Sequence, residues 1–288
     1  MELRVLKYFL MVAREENITK AAELLHVTQP TLSRQLAQLE RELGVKLFRR
    51  GQHSVALTDD GMLLRRRAQE ILALADKTEK EFSREEGELS GVISVGCGET
   101  GSMHELSRQM REFRALYPLV QFEVFSAIAD DIKERLDRGV LDLGLLLEPV
   151  DISKYDFVRM QGRERWGVLC REDSELAQKA AISPRDLLGE PLIMVKRESV
   201  RNELSSWFGP LYGELDVAAT YNLIYNAAIM VKNGVGTAVS LMFESNFDEL
   251  CYRPLSPTLE TGCVLVWKKQ QSFASATAAF LKFIRNAQ

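Results

Sequence analysis

The sequence predicts an N-terminal all-α winged helix-turn-helix domain, a long linker helix and a C-terminal α/β domain of two lobes. Apolar residues recur at helical spacing in three short segments before residue 44, and no proline interrupts residues 59–82. Beyond residue 91, apolar strands alternate with helices, which is typical of an α/β domain. We expect a winged domain, a linker helix, a polar hinge and an α/β domain at residues 1–58, 59–86, 87–91 and 92–288.

The densest pattern lies in residues 17–43. At about 100° per residue, the leucines of the second helix in this segment fall on one arc, and polar or cationic side chains fall opposite. Thr28 is the predicted N-cap, and Pro30 lies in the first turn, where its missing N–H costs nothing. Thr19 is the expected cap of the preceding helix. The leucines of the predicted stripe are Leu32, Leu36, Leu39 and Leu43.

A wing is predicted after this helix. Residues 45–50 and 54–58 have the composition of two short strands, and Gly51-Gln52-His53 forms the turn between them. The chain has a net charge of −4, but the segment from Arg34 to Arg67 carries eight Lys or Arg against four Asp or Glu. This local positive charge favours phosphate contact.

Residues 1–60 resemble the winged helix-turn-helix of the LysR-type transcriptional regulators, and a looser match extends over the full length. The matching pieces are Ala21-Ala22, Val27-Thr28-Gln29-Pro30, Leu32-Ser33-Arg34-Gln35, Leu39-Glu40, Leu43-Gly44, Leu47-Phe48 and Leu57-Thr58 before Gly61. The resemblance implies that bases and phosphates are approached from the second helix and from the wing. The candidate DNA-binding residues are Thr28, Gln29, Pro30, Thr31, Ser33, Arg34, Gln38, Arg50 and His53.

The resemblance also implies the partners. They are double-stranded operator DNA, a small-molecule effector, further copies of the chain in a homodimer or homotetramer, and RNA polymerase. No membrane partner is expected, because the chain has no apolar run of membrane-spanning length and no signal peptide. We therefore expect a cytoplasmic transcription regulator.

Apolar residues of the linker helix recur every 3.5 residues, which is typical of a coiled-coil seam. Two interpretations remain open: a seam between subunits, or a helix that packs on its own winged domain. A two-fold pair would read two half-sites, which favours the dimer. The candidate dimerisation residues are Leu64, Ala68, Ile71, Ala75 and Phe82, with Thr78 in the same repeat.

The α/β region predicts a largely parallel sheet, and its length suits two lobes. The family resemblance implies lobes like those of type 2 periplasmic binding proteins, with the effector in the cleft between them. The chain is expected to cross between lobes near residues 162–165 and to return near 267–270. Lobe I then comprises residues 92–162 and 269–288, and lobe II residues 163–268.

Three strand-to-helix turns are the candidate effector site. Backbone N–H groups at a helix start attract anions, and ligands of open α/β sheets lie beyond the carboxyl ends of the strands. We therefore expect a small organic acid or similar metabolite as effector. The candidate residues are Glu99, Thr100, Gly101, Ser102, Lys196, Arg197, Ser199, Tyr221 and Asn222.

The same region allows an alternative. Gly96–Gly101 has the spacing G-x-G-x-x-G, and Glu123 lies near the distance of a ribose-binding acid, so a winged-helix repressor that senses NAD(H) through a Rossmann-type domain is a second hypothesis. Against it, Glu123 is expected inside its strand, whereas the ribose-binding acid ends the strand.

Enzyme, cofactor and metal functions are not expected. The three histidines lack metal-ligand spacing partners, and the four cysteines lack C-x-x-C spacing, so we expect reduced, buried thiols. Cys97 could differ, because a helix N-terminus at its turn would lower the thiol pKa and allow redox sensing.

Overall fold

A computed structural model describes residues 1–50, 55–82, 88–243 and 247–286. The chain forms two compact units, Met1–Ser83 and Arg84–Gln288. The helices are α1 (Leu3–Glu15), α2 (Ile18–Leu24), α3 (Gln29–Leu43), α4 (Asp59–Phe82), α5 (Met103–Leu116), α6 (Ala129–Asp137), α7 (Glu198–Phe208), α8 (Ile224–Lys232) and α9 (Ser275–Asn286). The strands are β1 (Phe48–Arg50), β2 (Val55–Leu57), β3 (Gly91–Cys97), β4 (Val120–Ser126), β5 (Leu143–Leu147), β6 (Tyr155–Arg171), β7 (Pro191–Val195), β8 (Asp216–Tyr221), β9 (Thr237–Leu241), β10 (Leu250–Pro254) and β11 (Glu260–Lys268).

The first unit has a single core, to which α1, α2, α3 and α4 all contribute. The cap of α2 is Asn17, whose side-chain oxygen accepts a hydrogen bond from the Lys20 N–H at 3.0 Å, so the prediction of Thr19 was wrong by two residues. Asn17 precedes the helix with extended backbone, as an N-cap does, whereas Thr19 lies inside the helix.

Helix α3 buries most of its predicted stripe. Leu32, Leu36 and Leu39 are buried in the core of the unit, but Leu43 is 40% exposed and does not belong to it. Leu43 is the last residue of the helix, and Gly44 follows in the left-handed region with φ +71°, which is the expected C-terminal glycine.

The wing forms where it was predicted, with shorter strands. β1 and β2 pair antiparallel, with Phe48 opposite Leu57 and Arg50 opposite Val55. The Val55 N–H donates to the carbonyl of Glu16 at 2.9 Å, which fixes the wing to the end of α1. The predicted turn residues and His53 lie outside the described residues.

Linker helix α4 packs on its own winged domain. Leu64, Ala68 and Leu72 are buried in the same core as α1 and α3. Leu64 and Ala68 therefore pack inside their own chain. The assignment of these two residues to a seam between subunits was wrong. The buried stripe repeats every four residues, because it follows the α1 groove rather than a supercoiled partner.

The second unit contains one mixed sheet. Its strand order is β4-β3-β5-β11-β6-β9-β7-β8, and β10 pairs with β6. Strands β3, β4 and β5 are parallel in one lobe, and β7, β8 and β9 are parallel in the other. Between them β6 and β11 run antiparallel to their neighbours, so the prediction of a largely parallel sheet holds only within each lobe.

Strand β6 joins the lobes. It has 17 residues and is the longest of the described strands. Residues 155–165 pair with β11, and the following residues pair with β9 and β10. The pairing of β6 therefore changes from β11 to β9 between Arg165 and Trp166.

The return crossing differs from the prediction. The chain comes back between β10 and β11, near residues 255–259, because β11 pairs with β5 of lobe I over Cys263–Val266. Residues 260–268 thus belong to lobe I, and the expected return near 267–270 and a lobe II of 163–268 were wrong. Strand β10 was also missed by the sequence analysis. Among the described residues, no helix is both long and apolar enough to cross a membrane.

Candidate DNA-reading surface and effector cleft

The outer face of α3 is open to solvent. Ser33 is half-buried, and its hydroxyl accepts a hydrogen bond from the Gln29 side-chain amide at 3.0 Å. Within the described part of the chain, the Arg34 guanidinium makes no ion pair. Side-chain amides and guanidinium groups on an exposed helix face are the groups that read base edges in a major groove. The exposed candidates are Thr28, Gln29, Pro30, Thr31, Arg34 and Gln38.

Glu40 fastens the wing to α3. One carboxylate oxygen accepts from the Leu47 N–H at 2.9 Å and the other from the Lys46 ammonium at 2.8 Å. Although partial burial opposes ionisation, the hydrogen bonds from Lys46 and from the backbone N–H groups of Leu47 and Phe48 lower the pKa of Glu40. The ion pair with Glu40 offsets the charge of Lys46, so Lys46 contributes less to a phosphate surface than the sequence count suggested. The predicted residue Arg50 lies in β1 at the end of the described wing.

The cleft between the lobes holds a small cavity of about 100 Å³. Its wall is mostly apolar, and five of the nine predicted effector residues line it. These five are Glu99, Thr100, Arg197, Tyr221 and Asn222. Apolar lining residues include Ile128, Leu147, Trp166, Ile224 and Phe243. Gly101 and Ser102 line a separate groove, and Lys196 and Ser199 line neither space.

The first predicted anion-binding turn is occupied by a carboxylate of the chain itself. Glu164 of β6 is buried and accepts hydrogen bonds from the Gly101 N–H at 2.9 Å and from the Ser102 N–H and hydroxyl, both at 2.6 Å. Gly101 and Ser102 therefore do not offer these donors to an effector, and their prediction as ligand contacts was wrong. A carboxylate at the start of α5 is stabilised there by the helix dipole.

Sequence reasoning missed Glu164, although a signal existed. Glu164 and Trp166 lie two residues apart in a strand and therefore point to the same face. Arg163 and Arg165 point to the opposite face and are exposed. An acid on the buried face of a strand requires hydrogen-bond donors. The start of α5 supplies three of them.

The third predicted turn is also occupied from within. A carboxylate oxygen of Glu99, in lobe I, accepts a hydrogen bond from the Ile224 N–H at the start of α8, in lobe II. The Tyr221 hydroxyl donates to the Val239 carbonyl at 3.0 Å. Glu99 thus joins the two lobes across the cleft, and its side chain lines the cavity.

Arg197, at the second turn, makes a matching contact in the other direction. From lobe II its guanidinium donates to the carbonyls of Leu147 and Pro149 in lobe I, each at 2.9 Å. Burial lowers the pKa of Arg197 while Asp130 opposes that shift, and a guanidinium stays protonated at neutral pH. Hydrogen bonds at two places therefore hold the lobes together across the cleft. One is from the start of α8 to Glu99, and the other is from Arg197 to the end of β5.

Thr100 completes the cavity. It is 8% exposed, and its hydroxyl oxygen is buried without a hydrogen-bond partner among the described atoms. Buried hydroxyls are nearly always paired. A polar atom of a ligand in the cavity would satisfy this one.

Comparisons with known proteins agree with this architecture. The model described as "Bacterial regulatory helix-turn-helix protein, lysR family" matches residues 3–62, and that described as "LysR substrate binding domain" matches residues 86–288. The chain belongs to the LysR family of bacterial transcriptional regulators. Regulators of this family bind operator DNA, take effectors in their substrate-binding domains and form oligomers. Residues 86–288 are called the substrate-binding domain below.

Individual LysR-family relatives cover most of the chain. The Hca operon transcriptional activator HcaR of Escherichia coli strain K12 is 29% identical over 93% of this chain and 92% of its own. The regulator AlsR of Bacillus subtilis strain 168 is 32% identical over 69% of this chain and 66% of its own. Among solved structures, full-length CbnR complexed with its target DNA has a TM-score of 0.80 at 22% identity, with both chains covered completely.

These findings do not support the NAD(H) alternative. Glu123 lies three residues before the end of β4 and pairs with Ser94, so it does not end its strand as a ribose-binding acid would. The N–H groups of Gly101, the last glycine of the motif, and of Ser102 donate to Glu164. The expectation for Cys97 was also wrong, because burial and the nearby Glu99 raise the pKa of its thiol.

Proposed function

We propose that the chain reads its operator with the exposed face of α3 and from the wing, and that a small organic acid in the cleft of the substrate-binding domain modulates this binding. The observation that carries the first part is the division of α3 into two faces. Leu32, Leu36 and Leu39 fill the core, which leaves Gln29 and Arg34 outside with freedom to contact DNA.

The roles of Gln29 and Arg34 differ. The Gln29 amide can donate to and accept from an adenine edge, so Gln29→Ala should broaden the preferred operator sequence. Arg34 carries an exposed charge, so Arg34→Ala should weaken binding. Selection from randomised operators and footprinting on the native promoter would measure these two effects. Arg111→Ala, which removes an exposed cation from the substrate-binding domain, is the matched control. Unchanged preference and footprint for both α3 variants would refute the assignment.

The chemistry of the cavity supports an organic acid as effector. An apolar wall suits a hydrocarbon body, while the Arg197 guanidinium and the unpaired Thr100 hydroxyl suit one carboxylate. Arg197 is already bound to two lobe I carbonyls, so an effector carboxylate there would compete with a contact that holds the lobes together. Binding would shift the equilibrium between lobe arrangements.

This effector class is testable with defined probes. Thermal shift and calorimetry with butanoate, hexanoate and benzoate should show binding, whereas the corresponding alcohols should bind more weakly. Arg197→Ala should abolish the difference between acid and alcohol. Lys196→Ala is the matched control, because Lys196 is the adjacent cation and does not line the cavity. Equal binding of acids and alcohols to the unchanged protein would exclude a carboxylate site.

Pairing of subunits would involve the exposed side of α4. Leu63 is 56% exposed, and Ile71 and Leu74 are also exposed on this helix. At helical spacing these three residues lie beside the buried stripe of Leu64 and Ala68. We therefore assign the dimer contact of α4 to Leu63, Ile71 and Leu74, and Leu63→Glu with Leu74→Glu should lower the oligomeric mass measured by light scattering. Of the dimerisation residues predicted from the sequence, Ile71 is part of this proposed contact. Ala75 and Phe82 stay predictions.

A further inference from the structure

Two cysteines face each other in lobe II. Cys170 of β6 and Cys251 of β10 are direct partners in the antiparallel pairing of these strands, and their Sγ atoms are 3.8 Å apart. Both thiols are free. Cys170 is buried and Cys251 is half-buried. The pair lies in the lobe II core and does not line the cavity.

The backbone around the pair holds the two residues directly opposite each other. In an antiparallel ladder, hydrogen-bonded pairs alternate with non-hydrogen-bonded pairs. The Glu172 N–H donates to the Glu249 carbonyl at 3.0 Å, so the Cys170–Cys251 pair, two residues along, is again hydrogen-bonded. Such partners have Cα atoms about 5.5 Å apart, which lies within the usual range for disulfides. The Cβ atoms of hydrogen-bonded partners lie farther apart than those of most disulfides, so closing the 3.8 Å gap between the sulfurs requires side-chain rotation and a small approach of β10 to β6.

The two thiols have different access to a reagent. Burial raises the pKa of Cys170 to about 11, and its thiol donates to the Cys251 carbonyl at 3.8 Å, so Cys170 is a poor first nucleophile. Cys251 is only half-buried, so a reagent in solution reaches its thiol first. Cys170 is then placed to resolve a mixed disulfide formed on Cys251, because the two sulfurs are already in contact.

We propose that Cys170 and Cys251 form a reversible intramolecular disulfide by exchange with a low-molecular-weight organic disulfide. The Cys251 thiol loses its proton to solvent, and its thiolate attacks one sulfur of the reagent, which forms a mixed disulfide and expels one thiolate. Cys170 then loses its proton and attacks the Cys251 sulfur, which expels the second thiolate. Two protein thiols are oxidised, one reagent disulfide is reduced, and the two released thiolates take up two protons.

The remaining thiols differ from this pair. Cys97 and Cys263 are buried, and the Cys263 thiol contacts the Glu164 carboxylate at 3.7 Å rather than another sulfur. All four cysteines are described, and Cys170 with Cys251 is the thiol pair in contact. The bridge would join residues 81 positions apart and fix β10 on the strand that passes through both lobes. Cross-linking distant positions restricts the unfolded chain, so oxidation should raise the melting temperature of this domain.

The test uses the full-length protein and oxidised glutathione. After incubation, free thiols are blocked and the protein is weighed and mapped by mass spectrometry. We expect a loss of two hydrogens, a linked peptide pair containing Cys170 and Cys251, and a higher melting temperature that dithiothreitol reverses. Cys251→Ala should gain no bridge, Cys170→Ala should retain one glutathione on Cys251, and the control Cys97→Ala should behave as the unchanged chain.

Each alternative result overturns the proposal. An unchanged chain that keeps four free thiols would show that the pair does not exchange, and a bridge that includes Cys97 or Cys263 would show that another geometry governs reactivity. The map is made on the unchanged chain, so it does not depend on the folding of any variant. The operator and carboxylate measurements are independent of this result, because the pair lies outside both surfaces.

Discussion

The outer face of α3 and the turns of the effector cleft were both predicted as binding surfaces. In the structure the face of α3 is open to solvent, whereas two of the turns are occupied by side chains of the same chain. On α3, the Gln29 and Arg34 side chains are exposed, and the α3 contacts that fix the wing come from Glu40. In the cleft, the starts of α5 and α8 are filled by Glu164 and Glu99. The start of a helix attracts an anion, and that anion can be a carboxylate of the same chain rather than a ligand.

The largest expected effect concerns Glu164. Glu164→Ala leaves three donors at the start of α5 without their acceptor and should lower the free energy of unfolding of the substrate-binding domain by about 3 kcal/mol. All three tryptophans lie in this domain, so their fluorescence during urea unfolding reports on it alone. Glu164→Gln keeps one acceptor and should lose less. If Glu164→Ala is as stable as the unchanged chain, the carboxylate does not cap α5.

A smaller effect is expected for Glu99. Glu99→Ala removes one hydrogen bond between the lobes and a negative charge at the cavity wall, so unfolding free energy should fall by about 1 kcal/mol. Carboxylate binding should become about fivefold tighter, because a like charge has been removed. Calorimetry with benzoate measures the second effect, and Glu123→Ala on the exposed face of β4 is the control. Weaker benzoate binding would mean that Glu99 supports the ligand instead of excluding it.

The smallest effect belongs to the winged domain. The folded-state pKa of Glu40 is lowered from 4.5, so its contribution to stability is full above that value and is lost as pH falls below it. Glu40→Gln should lower the melting temperature of the winged domain by about 3 °C at pH 7 and by less near pH 3. Circular dichroism at the two pH values checks this, with Glu23→Gln as an exposed control. An equal loss at both pH values would contradict an ionised contact to Lys46.

The success of the sequence analysis depended on the range of the contacts. The helices of the winged domain follow from the spacing of residues such as Leu32 and Leu36, because i, i+3 and i+4 contacts are local. The return crossing was misplaced because the pairing of β11 with β5 joins residues more than 100 positions apart. Nothing local in residues 260–268 states which lobe they complete.

The cleft shows the same limit. The predicted turns at Thr100, Arg197 and Tyr221 do meet at one cavity, because strands of both lobes end there. Their occupants could not be read from the turns, since Glu164 comes from a strand 62 positions beyond Ser102. The thiol pair was missed for the same reason, because β10 was not predicted and Cys251 had no visible partner.

Operator affinity as a function of salt concentration, for the unchanged chain, Arg34→Ala and Glu99→Ala, tests the central contrast most directly. Each phosphate contact adds about one unit to the slope of log affinity against log salt. We predict that Arg34→Ala lowers both affinity and slope, the slope by about one unit, while Glu99→Ala keeps the slope of the unchanged chain. An Arg34→Ala protein with an unchanged slope and affinity would contradict the account, because the open face of α3 would then not be the surface that contacts DNA.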